Sequence, residues 1–128
     1  MNWLRKFIEF IGRLAIAAIF VLFGIYKAFH WDLVIQEMTS HGITQYTELL
    51  AACAIILEVI VGFALFFGYY KRTAATLLAL YLIPITYFFH AFWTVTEPQE
   101  LQLQTINFFK NLAIFGGLIC LAASPQQE

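Results

Sequence analysis

Four stretches of this chain run on with little interruption by charge: Ile11–Phe29, Leu49–Tyr70, Thr73–Trp93 and Ile106–Ala123. Each is close to the roughly 20 residues that a helix needs to cross the hydrocarbon core of a bilayer. Their apolar positions surround the helix instead of forming one stripe, as expected where a segment faces lipid or lies in a core. Alternation with a period of two is absent, which removes a membrane β-barrel. The pattern predicts an all-α membrane protein, a bundle of four transmembrane helices. Composition agrees: 62% of the 128 residues are hydrophobic and 12% charged, against about 45–50% and 25% in a soluble domain. A chain of this length makes one domain, 1–128. Its net charge of −1 excludes the basic footprint of a nucleic-acid binder.

The connections carry their own signals. Lys71-Arg72 reads as a very short hairpin that forces the second and third spans to pack as antiparallel neighbours. In the longer first loop, Val34, Ile35 and Met38 fall at helical spacing before Gly42, a helix stop. This predicts a short interfacial helix over Trp31–His41. Thr96-Glu97-Pro98-Gln99 reads as a capped helix start with Thr96 as N-cap, so the fourth helix begins in water and enters the membrane near Ile106. Pro84 is expected to kink the third span. Arg5, Lys6 and Arg13 precede or open the first span, and the loops His30–Glu48 and Thr94–Thr105 contain no Lys or Arg. The positive-inside rule then puts both termini in the cytoplasm. The basic, then apolar N-terminus resembles a signal peptide, but no small-x-small cleavage site clearly follows, and it reads as an uncleaved span.

Glu58 is the feature that the spans do not explain. A charged group near the middle of a spanning helix costs about 2.5–3.5 kcal/mol on insertion scales, so it needs a proton, a partner or a polar cavity. Ala54, Glu58 and Gly62 stack on one side of the second span, where the small residues admit a neighbouring backbone. Arg13, Ala17, Phe20, Gly24 and Lys27 share a face of the first. Ala79, Ile83, Thr86 and His90 line up on the third, and Asn107, Lys110, Asn111, Ile114 and Gly117 on the fourth. By depth, Lys27, His90, Asn107 and Lys110 gather in the outer half with Glu58 at the floor. Arg13 lies near the inner face. A pocket of Lys27, Glu58, His90, Asn107, Lys110 and Asn111 would suit an anion, the carbonyl head of a quinone, or a proton relay. Against this stand plainer roles: snorkelling for Lys27, Lys110 and Arg13, an ion pair that only fixes packing for Glu58, an interfacial position for His90, and an interhelical hydrogen bond for Asn111.

Other chemistries are poorly served. Cys53 and Cys120 form no CxxC or zinc pattern. In an up-down bundle they fall toward opposite membrane faces, too far apart for a disulfide, and are expected to be buried structural thiols. His30 and His41 lie in a loop and His90 has no histidine companion within a span, so no haem or metal site is expected.

Several of these fragments together resemble the DoxX family of small four-helix bacterial membrane proteins. They are Gly12-Arg13-Leu14 and Gly24-x-x-Lys27 in the first span, Ser40-His41-Gly42-Ile43 in the loop, and Glu58-x-x-x-Gly62 in the second span. His90-Ala91-Phe92-Trp93 and Asn107-Phe108-Phe109-Lys110-Asn111-Leu112 follow, and the family often has Asp where Ala91 stands. The resemblance implies an inner-membrane protein in redox or sulfur metabolism, since the related DoxD branch is a subunit of thiosulfate:quinone oxidoreductase. A quinone-linked redox component is the first functional expectation. A small proton-coupled transporter and a non-catalytic assembly partner are the alternatives. The implied partners are the lipid bilayer, a redox partner protein and, in a homo-oligomer, further copies of the chain. With no cysteine pair or metal signature, any electron transfer must draw on a bound cofactor, of which a quinone is one, or on a partner chain.

Overall fold

In a computed structural model, which describes residues 2–125, helices account for nearly the whole chain. Helix α1 spans Asn2–Phe29 and α2 spans Trp31–Ser40; α3 spans Thr47–Phe67, α4 spans Lys71–Phe89 and α5 spans Pro98–Ala123. A single 3₁₀ turn, Phe92–Thr94, joins α4 to the loop before α5. Helices α1, α3, α4 and α5 are long and apolar enough to cross a membrane, and together they form the expected four-helix bundle. The end that carries both chain termini is called here the terminal end, and the opposite one, with α2, the loop end.

Two helices reach well beyond their apolar runs. With 28 residues, α1 is about 42 Å long at 1.5 Å per residue, against a hydrocarbon core of about 30 Å. Its first turns, with Trp3, Arg5, Lys6 and Phe7 exposed, extend past the bundle. Helix α5 starts at Pro98, as the capping signal required, but its N-cap is Glu97, not Thr96. The Glu97 carboxylate accepts from the amides of Gln99 (3.2 Å) and Glu100 (2.7 Å). A carboxylate placed there also meets the positive end of the helix dipole, which a threonine cannot do.

The interfacial helix is present where Met38 and Gly42 indicated. Met38 is its buried residue, and Gly42 at φ +87° ends it in a Schellman arrangement. The Ile43 amide bonds the Met38 carbonyl (3.0 Å) and the Gly42 amide bonds that of Thr39 (3.1 Å). His41 then rests against Phe89 at the loop end of α4, ring centroids 4.8 Å apart.

The hairpin between α3 and α4 is made by Gly68, Tyr69 and Tyr70, and not by Lys71-Arg72. Gly68 at φ +81° and Tyr70 at φ +49° turn the chain, and the two cations already belong to α4. There they reach across to the end of α5. Lys71 Nζ donates to the Pro125 carbonyl (3.2 Å) and Arg72 Nε to that of Ala122 (2.9 Å), satisfying carbonyls that a helix end leaves free. Arg13 does the same for α3, its Nη1 donating to the Leu65 carbonyl (3.1 Å). Arg13 is therefore a helix-end clasp and not a snorkelling side chain. A Cβ on Gly68 would collide with the Arg13 guanidinium. Gly68→Ala meets both that collision and the left-handed backbone, and is expected to lower stability by about 1–2 kcal/mol, read as a fall in the thermal midpoint in detergent.

Helix α4 runs on through Pro84 to Phe89. The core of the terminal half is dry: Ala17, Leu65, Ala75, Leu78 and Leu118 are wholly buried and pack with Ala74 and Ala79 as one cluster. Both cysteines are unpaired and exposed, contrary to the expectation of buried thiols. They lie on outward faces of α3 and α5, where an apolar thiol is as acceptable to lipid as to a core.

Candidate functional site

Helices α1 and α3 approach each other through two glycines placed reciprocally. A Cβ on Gly24 would lie 2.7 Å from Val59 Cγ2 and 3.0 Å from Glu58 Cβ, and one on Gly62 would lie 3.0 Å from Val21 Cγ2 and 3.3 Å from Phe20 Cβ. Backbones this close bring side chains one turn away into register. Lys27 is one turn past Gly24, and long helical side chains lean toward the N-terminus of their helix. It therefore leans back into the bundle, and Lys27 Nζ meets Glu58 Oε2 at 2.7 Å.

Glu58 itself is only 3% exposed, while the Lys27 side chain keeps 33%. The carboxylate sits in a π-helical turn, Leu57–Val61, inside α3. Such turns arise where one residue too many is accommodated in an α-helix, and they recur at functional sites. A third residue completes the group: the Tyr81 hydroxyl on α4 donates to the same oxygen, Oε2, in a very short hydrogen bond. Three helices thus meet at one carboxylate oxygen. No buried side-chain nitrogen or oxygen among the described residues lacks a hydrogen-bond partner.

Sequence reasoning missed Tyr81. It reads as one more aromatic in an aromatic-rich span, but Ala74, Leu78 and Tyr81 recur at steps of four and three, and Ala74 and Leu78 are buried. A tyrosine on a face that is otherwise small and interior was the available signal.

The other expected pocket residues lie elsewhere. His90 Nδ1 donates to Gln104 Oε1 (2.8 Å), and Gln104 Nε2 donates to Glu100 Oε1 (2.8 Å). An ionised glutamate only accepts, so Glu100 turns the Gln104 amide nitrogen toward itself and leaves its oxygen for His90. That makes Nδ1 the donor in the bond to Gln104. Asn111 is 8% exposed and donates from Nδ2 to Thr86 Oγ1 (3.1 Å), the interhelical bond weighed above. Lys110 is exposed, its Nζ 6.0 Å from the centre of the Phe23 ring. Asn107 is half-buried with no hydrogen bond to another described residue. The predicted single pocket is therefore two groups: Lys27–Glu58–Tyr81 among α1, α3 and α4, and a polar ladder of His90–Gln104 and Thr86–Asn111 along the α4–α5 seam. The faces expected of α1 and α3 meet at Lys27 and Glu58, whereas His90, Asn107, Lys110 and Asn111 do not join them.

Comparison with known families matches residues 8–91 to DoxX, about two-thirds of the chain. The chain belongs to the DoxX family. A relative of this DoxX protein in Escherichia coli K12, described as inner membrane protein YphA, is 31% identical over 130 residues, covering 95% of this chain and 91% of its own. No solved structure matches. The family match takes in Arg13, Lys27, Glu58, Tyr81 and His90. It ends before Asn107, Lys110 and Asn111, which only the alignment with the relative spans.

Proposed function

We propose that this DoxX protein is an inner-membrane component of a quinone-linked redox system. The observation that carries this reading is the convergence of Lys27 and Tyr81 on Glu58 Oε2 in the middle of the bundle. The group is built to hold a proton and to change what it offers when it does so. With Glu58 ionised, the ammonium and the phenol are both engaged by the carboxylate. When Glu58 takes up a proton, their attraction to it falls and both become donors for another acceptor. A quinone, when bound, supplies carbonyl acceptors and chemistry in which electrons and protons move together. Lys27 and Tyr81 would hold its head and Glu58 would hold the proton. Electrons would come from a bound cofactor or from a partner protein.

The name of the Escherichia coli relative supports placement in the inner membrane. Five of the seven Lys and Arg residues, namely Arg5, Lys6, Arg13, Lys71 and Arg72, lie at the terminal end, which supports cytoplasmic termini. The apolar leucine and alanine core on the terminal side of Glu58 and the one-third exposure of the Lys27 side chain favour access from the loop end alone. That disfavours proton-coupled export, which needs access to both sides. The glycine crossing beside the ion pair favours, as a second reading, a packing device in an assembly partner.

Thermal unfolding of the purified protein with and without decylubiquinone tests the choice. The redox reading expects a rise of several degrees that Glu58→Gln and Tyr81→Phe both remove. A well-folded wild type whose midpoint does not move would favour the packing device.

A further inference from the structure

A groove of about 230 Å³ runs along the membrane-facing side of the α4–α5 seam, lined among others by Ile83, Thr86, Tyr87, Trp93, Phe108 and Asn111. It is separate from the Lys27–Glu58–Tyr81 group. Tyr81 and Ile83 are two residues apart on α4 and so point to nearly opposite faces of the helix. The groove walls are apolar and aromatic, and Ile83, Tyr87 and Trp93 at its rim are exposed to the surroundings of the bundle.

Two of its polar residues, Thr86 and Asn111, leave hydrogen-bonding capacity unused, while the Tyr87 hydroxyl and the Trp93 indole N–H lie at the exposed rim. Threonine hydroxyls elsewhere in these helices donate to the carbonyl four residues back, as Thr76 does to Arg72 and Thr105 to Leu101. Thr86 makes no such bond. Its oxygen accepts from Asn111 Nδ2, and its own O–H is not used among the described residues. Asn111 is more than nine-tenths buried, yet its Oδ1 accepts nothing. Because no enclosed side-chain polar atom among the described residues lacks a partner, that oxygen is not fully enclosed, and Asn111 lines the groove. Turning the amide round changes the roles but not the sum. Thr86 would then donate to Oδ1, leaving the amide N–H groups as donors and the threonine oxygen as acceptor. In either orientation the pair keeps one unused donor and one unused acceptor, on two residues that line an apolar groove.

We propose that this groove is a binding site for a lipophilic alcohol or phenol, whose single hydroxyl donates to one member of the Asn111–Thr86 pair and accepts from the other. A hydroxyl is the smallest group that satisfies both at once. The aromatic side chains take the ring or chain that carries it, and the open side of the groove lets that body continue into the bilayer. This site does not depend on the quinone reading.

The test is a matched pair of probes, 1-naphthol and 1-methoxynaphthalene, titrated into the full chain in nanodiscs and corrected for uptake by empty discs. The ether keeps the rings and the oxygen but has no proton to donate. A site that hydrogen-bonds an O–H rejects an analogue lacking it. Wild type is expected to favour naphthol at least tenfold. Thr86→Val combined with Asn111→Leu, which leaves no acceptor at the pair, is expected to remove that preference while the ether binds as before; if the double variant does not fold, the wild-type ratio decides alone. Tyr81→Phe should leave the preference intact, which separates this site from the proposed quinone group. Equal binding of the two probes by wild type, or a preference that survives in the folded double variant, overturns the assignment. A long-chain alcohol retained through purification at about one per chain would identify the natural occupant as a resident lipid. Naphthol preference in protein carrying no such alcohol would identify it as a diffusible phenol.

Discussion

Gly24→Leu is expected to prevent the bundle from assembling, and Gly24→Ala to weaken it by about 1–3 kcal/mol, the range for overfilling a packed interior. The reason is where the new atoms would go. Two of the three nearest, Glu58 Cβ and the Val59 amide nitrogen, are at or in the α3 backbone and cannot swing aside as a side-chain tip can. Relief has to come from parting α1 and α3, which also draws Lys27 away from Glu58. Gly116 is an internal control, because a Cβ there meets nothing within 4 Å. Gly116→Ala should leave the midpoint unchanged or raise it. The comparison is made by SDS or thermal unfolding of detergent-solubilised protein, and a Gly24→Ala variant as stable as Gly116→Ala would contradict the tight crossing.

The second large effect belongs to Glu58. Removing one member of a buried ion pair typically costs about 3–5 kcal/mol. Here the lower part of that range is expected for Glu58→Leu, because Lys27 keeps a third of its exposure and can turn toward water. The same change strips Tyr81 of its acceptor, and an unmet buried hydroxyl costs about 1–3 kcal/mol. Lys27→Met with Glu58→Leu should therefore recover part of the loss, and adding Tyr81→Phe should recover most of the rest. A triple variant that unfolds like Glu58→Leu alone would show that the three side chains do not act as one unit. A triple variant with wild-type stability that no longer responds to decylubiquinone would separate the chemistry of the group from its contribution to packing.

Much of the frame was legible from the chain, because span length and hydropathy report directly on the bilayer. The α2 helix and its stop at Gly42 were legible for a local reason: a positive φ after an amphipathic turn is a glycine signature. So were the crossing glycines, since Gly24 and Gly62 fall on the same faces as Lys27 and Glu58. What could not be read was azimuth. Lys110 and Asn111 adjoin in sequence and were placed on one face, but 100° of rotation sends one against Phe23 on the outside and the other into the α4 seam. Long cationic side chains added a second ambiguity. Lys27 and Arg13 can reach up or down by several ångströms, and only a partner, Glu58 for one and the end of α3 for the other, decides which. The π turn left no trace in the pattern of residue types, because all five of its positions suit an α-helix equally well apart from Glu58 itself.

That turn makes the second span sensitive to the number of its residues and not only to their kinds. An α-helix advances 100° per residue, so removing any one apolar residue from Leu57–Val61 would let the segment relax to regular helix with its hydropathy almost unaltered. The parts of α3 on either side would keep nearly their present facing, because the wide turn already absorbs the extra residue. What would change is the spacing inside it: with Val59, Ile60 or Val61 removed, Glu58 and Gly62 would stand three steps apart, about 300° round a regular helix. A shortened span of this kind would still insert in the membrane, with its buried carboxylate and its crossing glycine no longer stacked on one line.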